Sequence, residues 1–508
     1  KHLYNLELFL ILLCFISAVS LNVITIRQGS IRGSRYDGYI SFQGIPYATA
    51  GDDHFKAATR PAPSWYGVRE SQQSACTETS PASECLLLDV NMPYVTLEPL
   101  PVLVWVKGDG ATYNTGLLVK QGIIVVVVGH RFGIGGFLCS DDERLQGNAG
   151  IKDVVLALHW VRDTISEFSG NPAKVVVGGQ NFGAAMVEAL TLSPLTHKLY
   201  NGVIIQSGSI LSPWAFQYDA NERVRILGRW FTGSDPISNL LSGSLDNLLP
   251  KADLIKYPYY TFGLCVEQDS KNGERFLTDS PINLLSQGKV QDVSMLIGYN
   301  NDRDYIFQTI LKTVRAVKKI SVNMPFLLPE ELNFSSLDDR HVLVQMQKLY
   351  FNGNITMDAL LEYHRDAYIL NHIHRSVRLH AAASALPIYY YQFSHPGKEA
   401  VETEITERDT TAEHLGEARY LFPSNDQEYV GHDSKLQRDL IMLWSNFIKN
   451  LDPNPRECSS RHWRPAARAG AGLLLISHNT TMAAFPYPDQ MDFWDTVYDR
   501  YYYDKHAV

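Results

Sequence analysis

Gly179-Gln180-Asn181-Phe182-Gly183-Ala184-Ala185 lies just downstream of the short apolar run Val175–Val177. Similar β-branched runs recur at Val102–Val106, Ile123–Val128, Val203–Ile205 and Ile388–Phe393. Each is short enough for a buried strand, and none alternates with polar residues as a half-exposed strand would. Between the runs, Val154, Leu158, Val161 and Ile165 fall on one face of a helix, and Leu436, Leu440, Leu443 and Phe447 repeat that spacing. Strand alternating with helix predicts an α/β fold, a largely parallel central sheet flanked by helices on both faces.

The chain has 508 residues, of which 45% are apolar and 19% charged, enough for a large core and too apolar for intrinsic disorder. Lys plus Arg number 45 against 54 Asp plus Glu, a net charge of −9. A nucleic-acid partner needs a dense basic face, so none is expected. No linker rich in Gly, Pro or Ser separates two cores, and one domain is expected over 21–508.

Residues 1–20 carry an apolar stretch from Leu8 to Val19 and end in Ala18-Val19-Ser20. This reads as a signal peptide cut after Ser20, too short for a bilayer span. No later stretch approaches the length of a transmembrane segment, so a secreted, extracellular protein is expected. The mature chain then holds Cys76, Cys85, Cys139, Cys265 and Cys458, an odd number. Cys76 and Cys85 are near enough to close a ring worth roughly 3 kcal/mol, and the other three stay unassigned. Asn333, Asn354 and Asn479 head N-x-S/T triplets and are expected glycosylation sites.

Gly179-Gln180-Asn181-Phe182-Gly183-Ala184-Ala185 resembles the nucleophile elbow of the α/β-hydrolase fold, and nearly the whole mature chain resembles the type-B carboxylesterase and cholinesterase family of that fold. Phe42-Gln43-Gly44-Ile45-Pro46-Tyr47, Trp65-Tyr66-Gly67-Val68 and Ser83-Glu84-Cys85-Leu86 are similar to the family's F-x-G-I-P-Y/F, W-x-G-V and S-E-D-C-L stretches. Gly147-Asn148-Ala149-Gly150-Ile151-Lys152-Asp153 resembles G-N-x-G-L-x-D-Q. Asp452-Pro453-Asn454-Pro455 and Trp463 resemble the closing N-P…W-P stretch. The resemblance implies a disulfide between Cys76 and Cys85. The eight residues between them, Thr77 to Glu84, are fewer than in cholinesterases, so the choline-binding aromatic of that loop is missing.

The resemblance also places the family's catalytic roles, and here this sequence departs from the pattern. The nucleophile position is Asn181, whose amide has no acidic O–H and cannot form an acyl-enzyme. Loss of the nucleophile alone costs a serine hydrolase about a million-fold in turnover. The base position is His414, within Glu413-His414-Leu415-Gly416-Glu417-Ala418-Arg419-Tyr420-Leu421-Phe422. The acid position is Arg303, in Gly298-Tyr299-Asn300-Asn301-Asp302-Arg303-Asp304. A guanidinium there disfavours imidazolium, the reverse of what catalysis needs. The oxyanion loop, Val106-Lys107-Gly108-Asp109-Gly110, keeps Gly108 and Gly110 but places Asp109 where the family has glycine. A carboxylate about 4 Å from the developing oxyanion opposes it by about 4 kcal/mol at an effective dielectric near 20. Phe182 replaces the usual Ala of the oxyanion hole, and its ring is expected to crowd the acyl site.

Three altered segments imply a non-catalytic member, similar to the family's neuroligins, neurotactin and glutactin. The expected role is a secreted adhesion, matrix or other protein-binding module, with a protein partner at the cell surface or in the matrix. The alternatives are a pocket that holds a small apolar ester or hormone, and a weak carboxylic ester hydrolase in which His414 activates water. No cofactor and no metal ion are expected.

Overall fold

In the computed structural model the described residues are 22–502, apart from 52–53, 73–75, 79, 109–112, 232–234, 253–261, 270–273, 302–327, 330–331, 333–335, 353–354, 396–415, 425–426, 456–461 and 467–471. The expected signal peptide, Cys458 and the Asn333 and Asn354 triplets therefore lie outside the described residues.

Among the described residues there are fourteen strands: β1 (Val23–Ile26), β2 (Gly29–Arg32), β3 (Ser34–Tyr36), β4 (Tyr39–Pro46), β5 (Val68–Glu70), β6 (Leu87–Pro93), β7 (Leu100–Val106), β8 (Ile124–Val128), β9 (Gly170–Gln180), β10 (Gly202–Gln206), β11 (Ser294–Asn300), β12 (Ile388–Phe393), β13 (Leu473–Ile476) and β14 (Thr481–Ala483). Strands β1, β2 and β5 form a small separate sheet. The other eleven form one sheet in the order β14-β13-β12-β11-β10-β9-β7-β8-β6-β4-β3. From β13 through β8 the pairing is parallel, and the antiparallel β14 and β6 flank that stretch.

The apolar runs are strands because both faces of the sheet are covered, so every second side chain enters a different core. Val102, Val104 and Val106 join one cluster, with Val175, Val177, Val203 and Ile205. Leu103 and Trp105 join the opposite one, with Val125, Val176 and Ile204. The first face is closed by the helices α2 (Ala149–Thr164) and α3 (Phe182–Leu192), the second by α6 (Gly431–Asn450). Val154, Leu158, Val161 and Ile165 are all buried, as the spacing predicts, although Ile165 sits in the 3-10 turn that ends α2. Leu436, Leu440 and Phe447 of α6 are buried beside Trp444, while Leu443 is only partly covered. Each fully buried aliphatic side chain contributes about 1.5–3 kcal/mol, so two filled faces stabilise this sheet far more than strand propensity does.

Chain order reverses between β7 and β9. From β7 the chain leaves to β8 on one side and returns to β9 on the other. In open α/β sheets the carboxyl ends of the strands at such a point leave a crevice where sites form. Here those ends are Val106, leading to Lys107-Gly108, and Gln180, leading to Asn181.

Candidate active site

At the end of β9 the backbone of Asn181 takes φ 54° and ψ −119°, the angles of the first central residue of a type II′ turn, before α3 begins at Phe182. A side chain held there costs on the order of 1–3 kcal/mol, so the surroundings must enforce it. They do. The Asn181 N–H donates to Gln206 O at 2.9 Å, and its carbonyl accepts from Ala184 N at 3.0 Å and Ala185 N at 3.2 Å. A Cβ on Gly183 would lie 2.5 Å from Val106 O, and one on Gly108 would run into the Gln180 carbonyl. The elbow, the start of α3 and the oxyanion loop therefore pack backbone to backbone, which only glycines allow.

Phe182 is the first residue of α3. A Cβ on Gly108 would lie 3.3 Å from Phe182 N, so that N–H lies beside the loop that would hold an oxyanion. The ring is buried and meets Phe137 edge to face, with centroids 5.1 Å apart. Phe137 ends α1 (Gly133–Phe137). The bulk that the sequence reading sets against the acyl site is thus taken up in packing on Phe137.

The loop is held from below. His130 is buried and bridges two carbonyls, Arg131 O through Nδ1 and Lys107 O through Nε2, both at 2.8 Å. Arg131 is fixed in turn by a two-pronged ion pair with Asp153, Nη2 to Oδ1 at 2.6 Å and Nε to Oδ2 at 2.8 Å. Both partners are buried.

Of the expected site residues, Gly108, Asn181 and Phe182 come together as described. Asp109, Gly110, Arg303 and His414 lie outside the described residues. The segments that carry Arg303 and His414 start from adjacent points. A Cβ on Gly416 would lie 3.7 Å from Asn300 Nδ2. Asn301 Oδ1 accepts from Tyr487 OH at 3.0 Å, and Asn301 N donates to Phe393 O at 2.7 Å.

One residue to which the sequence reading gave no role belongs here. Glu417, three positions past His414, opens α5 (Gly416–Leu421) with its side chain fully buried. It accepts from Tyr391 OH at 3.1 Å and from Ser207 Oγ at 3.4 Å. Burial pushes its carboxyl above the ordinary value, and hydrogen bonds from Gln206, Asn300 and Tyr391 oppose that rise only in part. The signal in the sequence was its place in the His414 segment, but only the fold sets it under the ends of β10 and β12.

Cys76 and Cys85 are bonded as expected. Cys139 and Cys265, left unassigned by the sequence, form a second disulfide across 126 residues. Asn148 clasps it, with Nδ2 donating to Cys265 O at 2.8 Å and Oδ1 accepting from Cys265 N at 3.1 Å. Asn479 is exposed in the turn between β13 and β14. Among the described residues no helix is long and apolar enough to cross a membrane.

Comparison with known proteins agrees with this architecture. Juvenile hormone esterase of Heliothis virescens is 26% identical, over 86% of this chain and 87% of its own length. Esterase FE4 of Myzus persicae is 26% identical over 96% and 94%, and bile salt-activated lipase of Mus musculus 26% over 87% and 80%. The crystal structure of juvenile hormone esterase from Manduca sexta, with OTFP covalently attached, superposes with a TM-score of 0.82 at 23% identity. It covers 94% of this chain and 99% of that one, a likeness of fold. The model of the carboxylesterase family matches residues 20–494. This chain belongs to the carboxylesterase family.

Proposed function

We propose that this is a secreted, catalytically silent carboxylesterase, one domain from Leu21 onward, that serves outside the cell as a protein-binding module of the adhesion or matrix kind. The observation that carries the reading is Asn181 at the elbow: the strained turn persists, φ 54° and ψ −119°, while the attacking oxygen is gone. Arg303 at the acid position and Asp109 in the oxyanion loop add to the loss, and His414 then fills space as a structural residue. A protein-binding role draws support from apolar side chains left in solvent. Val95 and Leu97 are exposed close to Tyr94, whose hydroxyl donates to the carbonyl of the equally exposed Tyr36. Secretion accords with the two disulfides and with the exposed triplet at Asn479.

The test is turnover of a p-nitrophenyl ester together with covalent labelling by an organophosphate. The native chain should match an Asn181, His414 double-alanine control and take up no label. Asn181→Ser alone should stay nearly inactive, because Asp109 and Arg303 still oppose the chemistry. Turnover well above the double-alanine control, or a label on the elbow peptide in mass spectrometry, refutes the silent reading and restores that of a weak ester hydrolase.

A second reading is a holder of a small apolar ester or hormone. It is favoured by the retained packing of elbow against oxyanion loop, which would keep an acyl pocket in shape without turnover. Saturable uptake of a fluorescent fatty ester by the purified protein supports it, and the absence of uptake leaves the protein-binding role.

A further inference from the structure

We propose that a groove on the outer side of α2 is a binding site for a long-chain carboxylate, a fatty acid in the simplest case, with the tail on an apolar floor and the headgroup on Arg60. The groove encloses about 760 Å3, within the roughly 300–1,000 Å3 usual for small-molecule sites. Gly108, Asn181 and Phe182 are not among its lining residues, so the site lies apart from the elbow and is independent of the function proposed above.

Separate parts of the chain build it. Helix α2 presents Lys152, Val155, Leu156 and His159 at i, i+3, i+4 and i+7, a second stripe beside the one that Val154, Leu158 and Val161 bury in the core. Phe55 and Arg60 come from the segment after β4, Arg144 from that between α1 and α2, and Leu195 from the 3-10 turn that follows α3. Phe55 and Val155 are buried, while Leu156 and Leu195 pack against the core and stay partly open to water. An alkyl chain laid on that floor would remove the remaining apolar surface from water.

The charges decide the headgroup. Lys56, Arg60, Arg144 and Lys152 line the groove against Glu143 and Glu274. Two of the cations are committed to the fold: Arg144 pairs with Asp142 and Asp235, both at 2.6 Å, and Lys152 pairs with the buried Glu267. Arg60 is placed differently. Its Nη1 meets Asp163 Oδ2 at 3.2 Å with side chains 41% and 36% exposed, an ion pair that contributes little in water. Asp163 also accepts from Arg162 Nε at 2.8 Å, so Arg60 can turn to a ligand without stranding a charge. A guanidinium offers a carboxylate two parallel N–H groups, which a hydroxyl or an ester cannot match. His159 registers the local balance. Burial, then Arg60 and Arg162, hold its ring below the ordinary value, and Asp163 and Glu274 oppose them less, so the potential beside Arg60 favours an anion.

The test uses the full chain with its disulfides intact, titrated by calorimetry with dodecanoate below its micelle concentration. Dodecanoate should bind saturably. Dodecyltrimethylammonium, which has the tail and the wrong charge, and acetate, which has the charge and no tail, should not. Arg60→Gln should raise Kd about tenfold or more, the loss expected of one charge-assisted contact. Leu156→Glu, which sets a carboxylate on the floor, should abolish binding, with thermal unfolding confirming that each variant is folded. Arg438→Gln, exposed on α6 across the sheet, should leave Kd unchanged. A diazirine-bearing fatty acid should label peptides of the groove wall in mass spectrometry. The proposal is overturned if dodecanoate does not bind saturably, if dodecyltrimethylammonium binds as well, or if Arg60→Gln leaves Kd unaltered. Label on the elbow peptide with none on the groove overturns it too.

Discussion

Asp153→Asn should destabilise the protein more than any nearby surface change, and the structure gives the size. The Arg131 guanidinium donates Nη2 and Nε to the two Asp153 oxygens and Nη1 to His54 O and Lys56 O, both at 2.7 Å. The ion pair itself has side chains only 6% and 0% exposed. An asparagine keeps the shape but removes the charge, and turns an NH2 group toward one of the Arg131 N–H donors. Breaking a buried pair by disabling one partner leaves an uncompensated charge and costs about 3–5 kcal/mol. The effect should spread along the chain of contacts from Arg131 O to His130 and on to Lys107 O, loosening the oxyanion loop. The assay is equilibrium urea unfolding followed by tryptophan fluorescence. Replacing both partners, Arg131→Met with Asp153→Leu, should recover most of the loss. The His54 and Lys56 carbonyls lie on exposed residues and can turn to water. A cost below about 1 kcal/mol for Asp153→Asn, or a double variant no better than the single one, refutes the reasoning.

Three further outcomes follow from the same structure. Because burial raises the Glu417 carboxyl, the native state holds its proton more tightly than the unfolded chain. That contribution to stability is full below the unfolded value of 4.5 and lost as pH rises through the raised one. Glu417→Gln should therefore gain on the parent as pH climbs through this window, and parallel pH–stability curves would refute the assignment. Cys139→Ser with Cys265→Ser opens a loop spanning 126 residues and should cost about 4–5 kcal/mol, measured by unfolding without reductant. Phe182→Ala empties a buried site against Phe137 and should cost about 3–5 kcal/mol in the same assay.

The sequence was most informative where a pattern is local. The β-branched runs at Val102–Val106, Ile123–Val128 and Val203–Ile205 became central strands, the second of them from Ile124, because a run apolar on every residue satisfies a sheet covered on both sides. The spacing of Val154, Leu158 and Val161 became the buried stripe of α2, since one turn of helix brings such residues onto one face. That Asn181 carries no hydroxyl was also legible, because the functional group is a property of the residue itself.

What the sequence left open depends on residues far apart in the chain. Nothing in the spacing favoured Cys139–Cys265 over a bond to Cys458. In the folded chain the side chain of Asn148 clasps the backbone of Cys265, beside the bonded sulfurs. Glu417 read as one more letter of the His414 segment until α5 carried it under Ser207 and Tyr391, where the loss of water changes its acidity. Residue type decides which chemistry is possible at each position; proximity and burial, which only folding creates, decide which of those groups act together.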